Sequence, residues 1–279
     1  MKVQDVMTTM VVIMPDTQQV SYARNLMLKH GISHIVVVDS KGKPAGIVTE
    51  KDITRKLRVA GPTWRRRPID KISIRRVMSK GLITVSPSRD IREAVDLMLK
   101  NNISSLPVVE DGKLVGIITK TDLLRVYNEK CKGRWKVSDL MTRDVITVTE
   151  NHTIAHVTSL MEENRIGRII VIKDNEPVGI ITSENISFAQ LEDPETGVPL
   201  EKIYFVKRAS EEKKKVALVS MLTAGDIMTE DLITLKEDVD AAEAANIMLN
   251  KKISGIPILD EKNQLAGIIT KTDIIKAIQ

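Results

Sequence analysis

The chain has 279 residues, 42% of them apolar, enough for more than one core of the usual domain size, roughly 100–200 residues. Two Trp, three Tyr and two Phe exclude an aromatic stacking platform, and the single cysteine, Cys131, excludes an intrachain disulfide and multi-thiolate zinc sites, which fits a reducing, cytoplasmic compartment. A net charge of +5 with pI near 9.1 permits polyanion binding without demanding it; no apolar run approaches the roughly 20 residues that span a bilayer, and Met1-Lys-Val-Gln-Asp lacks the apolar stretch of a signal peptide, so neither export nor membrane insertion is expected.

The chain is a repeat. Units open on Met7-Thr8, Met78-Ser79, Met141-Thr142 and Met228-Thr229. They close on Gly46-Ile-Val-Thr-Glu-Lys-Asp52, Gly116-Ile-Ile-Thr-Lys-Thr-Asp122, Gly179-Ile-Ile-Thr-Ser-Glu-Asn185 and Gly267-Ile-Ile-Thr-Lys-Thr-Asp273. The interval from opening Met to closing Gly is 39, 38, 38 and 39 residues, while unit starts lie 71, 63 and 87 residues apart, so the units are constant and their connections are not. The expected division is 1–60, 72–128, 137–191 and 224–279 for the four units, with a charged linker at 192–223.

Within a unit a short strand such as Ile83-Thr84-Val85 comes first. The column Thr17, Ser88, Asn151 and Asp238 then predicts a helix N-cap, because these types accept hydrogen bonds from orphan amides. Ile91, Ala94, Val95 and Met98 follow at i, i+3, i+4 and i+7, one buried stripe whose last member is Met27, Met98, Met161 or Met248 in the four copies. Two β-branched runs separated by Asp111-Gly112 predict an antiparallel hairpin, and a second helix starts after the closing threonine. The unit reads βαββα, an α+β class. The connections, roughly 58–71, 128–136 and 192–223, hold Arg65-Arg66-Arg67, Lys213-Lys214-Lys215 and both tryptophans, Trp64 and Trp135, which are expected to anchor linkers over a core edge.

Thr119 ends a strand and opens a helix, where free amides and the helix dipole attract a phosphate, and Asp122 stands three residues on, in reach of ribose hydroxyls. The same spacing is also a capping box that needs no ligand, although Asp or Asn stands where such a box prefers Glu or Gln. Aliphatic residues around Ile103 to Pro107 would flank a base. Asn185 can make only neutral contacts, which marks that cleft as the weak one. His152 and His156, four apart, have no third ligand in view and predict no metal site, and neither a nucleophile elbow nor a glycine-rich phosphate loop is present, so no enzyme is expected.

The fourfold closing motif resembles that of the cystathionine β-synthase (CBS) domains, over nearly all of the chain outside the linkers. The resemblance implies two Bateman modules, each a pseudo-two-fold pair of units, forming a flat disc with up to four clefts. It implies adenine nucleotides as ligands (AMP, ADP or ATP, with S-adenosylmethionine or NAD as further adenosyl candidates), bound through Thr49 and Asp52, Thr119 and Asp122, Thr182 and Asn185, and Thr270 and Asp273. In the column ahead of the central strand, His34, Ser105, Arg168 and Gly255, only His34 and Arg168 offer a phosphate contact. The implied function is regulatory sensing that tunes a partner protein. A second copy of the chain is a possible partner, as a homodimer; a nucleic-acid binder using the basic linkers and a scaffold with degenerate clefts are the other readings.

Overall fold

The computed structural model describes residues 1–57, 71–188, 204–206, 217–219 and 222–278. In unit 1, strand β1 (Ile13–Pro15) leads through helix α1 (Val20–His30) to strands β2 (His34–Val38) and β3 (Pro44–Thr49) and helix α2 (Glu50–Leu57). β2 lies between β1, to which it is parallel, and β3, to which it is antiparallel. Unit 2 has α3 (Ile91–Lys100), β4 (Ser105–Glu110), β5 (Lys113–Thr119) and α4 (Lys120–Lys130), with a single parallel bridge from Val85 to Val108 replacing the first strand. Unit 3 comprises a turn of helix, α5 (Val137–Leu140), then β6 (Thr147–Val148), α6 (Ile154–Glu163), β7 (Arg168–Lys173), β8 (Glu176–Thr182) and α7 (Ser183–Phe188). An antiparallel pair, β9 (Tyr204–Val206) and β10 (Ala217–Val219), precedes unit 4: α8 (Ala224–Ile227), β11 (Leu235–Lys236), α9 (Ala241–Asn250), β12 (Gly255–Leu259), β13 (Leu265–Thr270) and α10 (Lys271–Lys276).

The repeat pattern explains these elements. Ile91, Ala94, Val95 and Met98 are all buried on α3, and the four stripe methionines have at most 4% exposure. Asp111 and Gly112 both take positive φ (48° and 75°), the two-residue turn whose twist matches its flanking strands. The helix starts differ from expectation. The N-caps are Gln19, Asp90, Thr153 and Asp240, two residues beyond the column Thr17, Ser88, Asn151 and Asp238. Asp90 and Asp240 accept from the amides of Arg92 and Ala242, and Thr153 from His156, while the earlier column lies in the preceding turn. In units 2 to 4 either column could cap by residue type, whereas Gln19 of unit 1 makes no side-chain cap; the first buried apolar residue, Val20 or Ile91, marks where the helix begins.

Each unit lends its opening segment to a partner. Val3 of unit 1 is buried in the core of unit 2, and Ile74 and Val77 of unit 2 in the core of unit 1. Val137 and Met141 enter the core of unit 4, and Ala224 that of unit 3. Bridges Thr8–Ile117 and Ile47–Ser79 seal the first pair, and Thr142–Ile268 and Ile180–Thr229 the second. The opening Met lies flat on the partner's closing Gly: a Cβ on Gly46 would stand 2.8 Å from both Met78 Sδ and the Ser79 carbonyl oxygen. That close approach is the physical reason for glycine at this place in the motif. The two pairs then join: α2 packs on α7, and α4 on α10 and α9. Leu124 and Tyr127 of α4 belong to the core of unit 4, and Ile275 of α10 to that of unit 2, so the second contact is an exchange of helices between cores.

Candidate functional site: four clefts on one basic cavity

The capping-box reading of the closing motif is realised in every unit. The Thr amide and hydroxyl donate to one acid oxygen, at 3.0 and 2.8 Å for Thr49 to Asp52 and 2.8 and 2.7 Å for Thr119 to Asp122. Thr270 donates to Asp273 at 3.0 and 2.6 Å, and Thr182 to Asn185 Oδ1 at 2.8 Å from both groups. Oδ2 of each aspartate is therefore committed to its own helix. Oδ1 faces the partner unit or its own helix: Asp52 accepts from Ser79 Oγ (3.1 Å), Asp273 from Thr142 Oγ1 (3.4 Å) and Lys276 Nζ (3.1 Å), and Asp122 from Arg125 (2.7 Å). Asn185 Nδ2 donates to Thr229 Oγ1 at 3.4 Å. The hydroxyl that follows the opening Met thus meets the closing acid or amide of its partner in three clefts, which ties the two ends of the repeat motif together.

All four clefts open into one continuous cavity of about 1940 Å³. In keeping with the scarcity of aromatics, its apolar lining is aliphatic, with Met10, Val11, Ile83, Ile103, Pro107 and Ile146 among the side chains that face it.

The centre of this cavity is cationic. Lys120 Nζ donates to Thr272 Oγ1 and Lys271 Nζ to Thr121 Oγ1, each at 2.9 Å, and Arg168 donates to Ser254 Oγ at 2.7 Å. Gly255 makes room for that arginine, since a Cβ there would stand 2.9 Å from Arg168 Cδ. Arg168 Nε is buried without a hydrogen-bond partner among the described residues. A buried donor left this way is costly unless something accepts from it. His34, Ser105, Arg168 and Gly255 are the first residues of their strands rather than residues ahead of them. Burial followed by Lys51 and Arg168 pushes Lys120 down to about 8, and burial followed by Arg168 pushes Lys271 down to about 8. Burial lowers Arg168 to about 10, and burial with Arg168 nearby lowers Lys51. Burial and then Lys51, Lys271 and Lys120 lower His34 to about 4, so it is neutral at pH 7, with Nδ1 2.9 Å from the Ser33 hydroxyl. A set of cations that depress one another in an enclosed space is a site short of anions.

The sequence offers His34 and Arg168 as possible phosphate contacts, and the structure adds Lys51, Lys120 and Lys271 to the cationic centre. Their signal stood in the two variable positions of the closing motif, Glu50-Lys51, Lys120-Thr121, Ser183-Glu184 and Lys271-Thr272, three of which hold a lysine.

Other candidates fall away. His152 lies in the turn ahead of α6 rather than on it, its Nδ1 takes the Thr149 amide at 2.9 Å, and its ring stacks on His156 at 4.9 Å between centroids. Among the described residues no three His, Cys, Asp or Glu are grouped to hold a metal, and no helix is long and apolar enough to cross a membrane. Trp135 is 45% exposed, against the expected packing over a core edge, and what holds its segment is its carbonyl accepting from Ala241 N. Trp64, Arg65-Arg66-Arg67 and Lys213-Lys214-Lys215 lie outside the described residues.

Comparison with known proteins gives the family and the fold. The chain is 34% identical to the protein MJ1404 of Methanocaldococcus jannaschii over 296 aligned positions, covering 99% of this chain and 61% of that one, so it spans less than two thirds of that relative. It is 29% identical to MJ1225 of the same organism, covering 86% of this chain and 85% of that one. The crystal structure of MJ1225, reported as a candidate archaeal homologue of γ-AMPK, superposes with a TM-score of 0.84 at 26% identity over the full length of both chains. A conserved protein of Pyrococcus horikoshii shares the fold, with a TM-score of 0.66 at 20% identity over the full length of both. The CBS domain profile matches residues 3–59, 74–129, 137–192 and 224–279, and the chain belongs to the CBS domain family.

Proposed function

We propose that the chain is a non-catalytic, cytoplasmic sensor of adenine nucleotides, AMP, ADP or ATP, whose occupancy alters affinity for a partner protein. The observation that carries the reading is convergence: four Thr-x-x-Asp/Asn motifs open onto one cavity whose centre holds Lys51, Lys120, Arg168 and Lys271, drawn from all four units. In this reading a base lies between aliphatic walls such as Pro107 and Val11, ribose hydroxyls replace Ser79, Thr142 or Arg125 at Oδ1 of the aspartate, and phosphates run to the central cations and the orphan Arg168 Nε. Because the openings of one unit complete the cleft of the next, a ligand touches both units of a pair, and a change in their angle is transmitted through α2–α7 and α4–α10 to the other pair. Similarity to MJ1225 along the whole chain supports a regulatory role.

Calorimetric titration with AMP, ADP and ATP, with S-adenosylmethionine and NAD as comparators, tests the reading. A ligand at 100 times its Kd raises stability by about 2.7 kcal/mol, readily seen as a melting shift. No heat and no melting shift with any adenosyl compound at millimolar concentration would contradict it. Binding to nucleic acid instead, weakening steeply with salt, would favour the basic-linker alternative.

A further inference from the structure

A second column follows the closing motif. Three residues past the closing acid or amide stand Arg55, Arg125, Phe188 and Lys276, so a cation follows each aspartate and none follows Asn185. The exchange has a physical cause: Asp122 and Asp273 are each 4% exposed, and a carboxylate at that depth needs a counter-ion where an amide does not. Arg125 Nη1 lies 2.7 Å from Asp122 Oδ1, and Lys276 Nζ 3.1 Å from Asp273 Oδ1. The two pairs face different surroundings. Asp273 Oδ1 also accepts from Thr142 of the partner unit, whereas Asp122 Oδ1 has Arg125 as its one hydrogen-bond partner among the described residues. Arg125 lines the central cavity with Lys120 and Thr121 of the same helix; Lys276 is not on its wall.

Asp122 Oδ2 is committed to Thr119, so the oxygen left for a ribose is the one that Arg125 holds. We propose that Arg125 is the phosphate-selecting residue of the Asp122 cleft: it covers the ribose acceptor while the cleft is empty and passes to the 5′-phosphate when a nucleotide binds. The proposal rests on the nucleotide-sensing reading and deepens it. A nucleoside takes the buried carboxylate from the guanidinium and offers no anion in return. A nucleotide carries its anion on the same sugar, so the cation exchanges a carboxylate for a phosphate. Arg125 suits that exchange, being more than half exposed on a flexible stem close to one helical turn from Asp122, with a planar fork that meets a phosphate through two parallel bonds. Longer phosphate chains run on to Lys120 and Lys271, so Arg125 reads the first phosphate and separates nucleotide from nucleoside rather than ATP from AMP.

Calorimetry with AMP and adenosine tests the role, and Asp122→Asn identifies the cleft as the AMP step that it weakens. Arg125→Gln should weaken that same step about tenfold, the loss of a charge-assisted bond, with Arg125→Lys in between and adenosine bound no more weakly than by wild type. A purely structural helix pair would leave the AMP to adenosine ratio unchanged. Phenylglyoxal, which modifies accessible guanidinium groups, supplies a readout at the residue itself, by mass spectrometry of the peptide that carries Arg125. At equal saturation AMP should protect Arg125 and adenosine should not. An unchanged AMP step in Arg125→Gln, AMP and adenosine weakened alike, or equal protection by both overturns the phosphate-selecting role while nucleotide sensing stands. AMP steps all left intact by Asp122→Asn overturn it as well, since the carboxylate is then no ribose acceptor. If no adenosyl compound binds the wild type, sensing fails and the role of Arg125 with it.

Discussion

The proposed function gives Asp122 a second job beside its helix cap, one that a single substitution would confuse with the first, and the protein contains the control that separates them. Asp122→Ala removes the acceptor for Thr119 N and Oγ1, a capping box worth about 1 kcal/mol. It also removes the ion pair to Arg125, which is 58% exposed and contributes at most about 0.5 kcal/mol. At about 2–4 °C per kcal/mol the ligand-free protein should melt a few degrees lower. Asp122→Asn should not do this, because Asn185 already makes the same cap, accepting from Thr182 N and Oγ1 at 2.8 Å. What asparagine loses is charge. Hydrogen bonds to charged groups are worth about 1.5–3 kcal/mol against about 0.5–1.5 for neutral ones, so a ribose at Asp122→Asn should bind about tenfold more weakly. Melting curves without ligand and calorimetric titrations with nucleotide, on wild type and both variants, give the two numbers separately. If Asp122→Asn binds nucleotide with all the wild-type steps and affinities, Asp122 is a cap alone and its ribose role is wrong.

The central cations predict that Lys271→Ala weakens ATP binding by tenfold or more and AMP binding less, read by calorimetry, since only the longer phosphate chain reaches the centre. Lys120 and Lys271, at about 8, lose protons as pH rises, so polyphosphate affinity should fall through pH 8; a flat profile from pH 7 to 9 would count against them as contacts. In the ligand-free protein two groups bend the stability curve in opposite directions. Glu50, raised to about 8, contributes stability that is complete below its unfolded pKa near 4.5 and is lost as pH rises through 8. His34, lowered to about 4 from 6.5, contributes stability present above 6.5 and lost as pH falls through 4, and His34→Gln should flatten that acid limb. Gly46→Ala drives a Cβ to 2.8 Å from the Ser79 carbonyl, which cannot swing away as Met78 can, and should cost about 1–3 kcal/mol in chemical denaturation.

Much of the fold was legible because a repeat is its own control. Four copies of Gly-x-x-Thr-x-x-Asp/Asn at one spacing locate β3, β5, β8 and β13 with the helices that follow them, and the stripe ending in Met27, Met98, Met161 and Met248 locates the inward faces of α1, α3, α6 and α9. The helices start two residues beyond the expected column because cap preference is a property of residue type, and in units 2 to 4 a second column two residues on offers it as well; burial of Val20 and Ile91 marks the start. The closing motif reads both as a capping box and as a ribose acceptor, and the structure shows the cap. A carboxylate has two oxygens, and the structure commits one to the cap and turns the other toward the partner unit or a basic side chain.

By itself the sequence determined the number of units and their strand and helix order, since these follow from local periodicity and a motif repeated in register. Only tertiary structure decided that each opening segment completes its partner's core, that Leu124 and Ile275 are exchanged between units 2 and 4, and that Lys51, Lys120, Arg168 and Lys271 meet in one cavity. Those cations stand in variable positions up to 220 residues apart, where no local pattern distinguishes a solvated surface lysine from one turned inward. What distinguishes them is burial, which lowers their proton affinity and makes their charge available to an anion, and burial is set by how four units pack around a common centre.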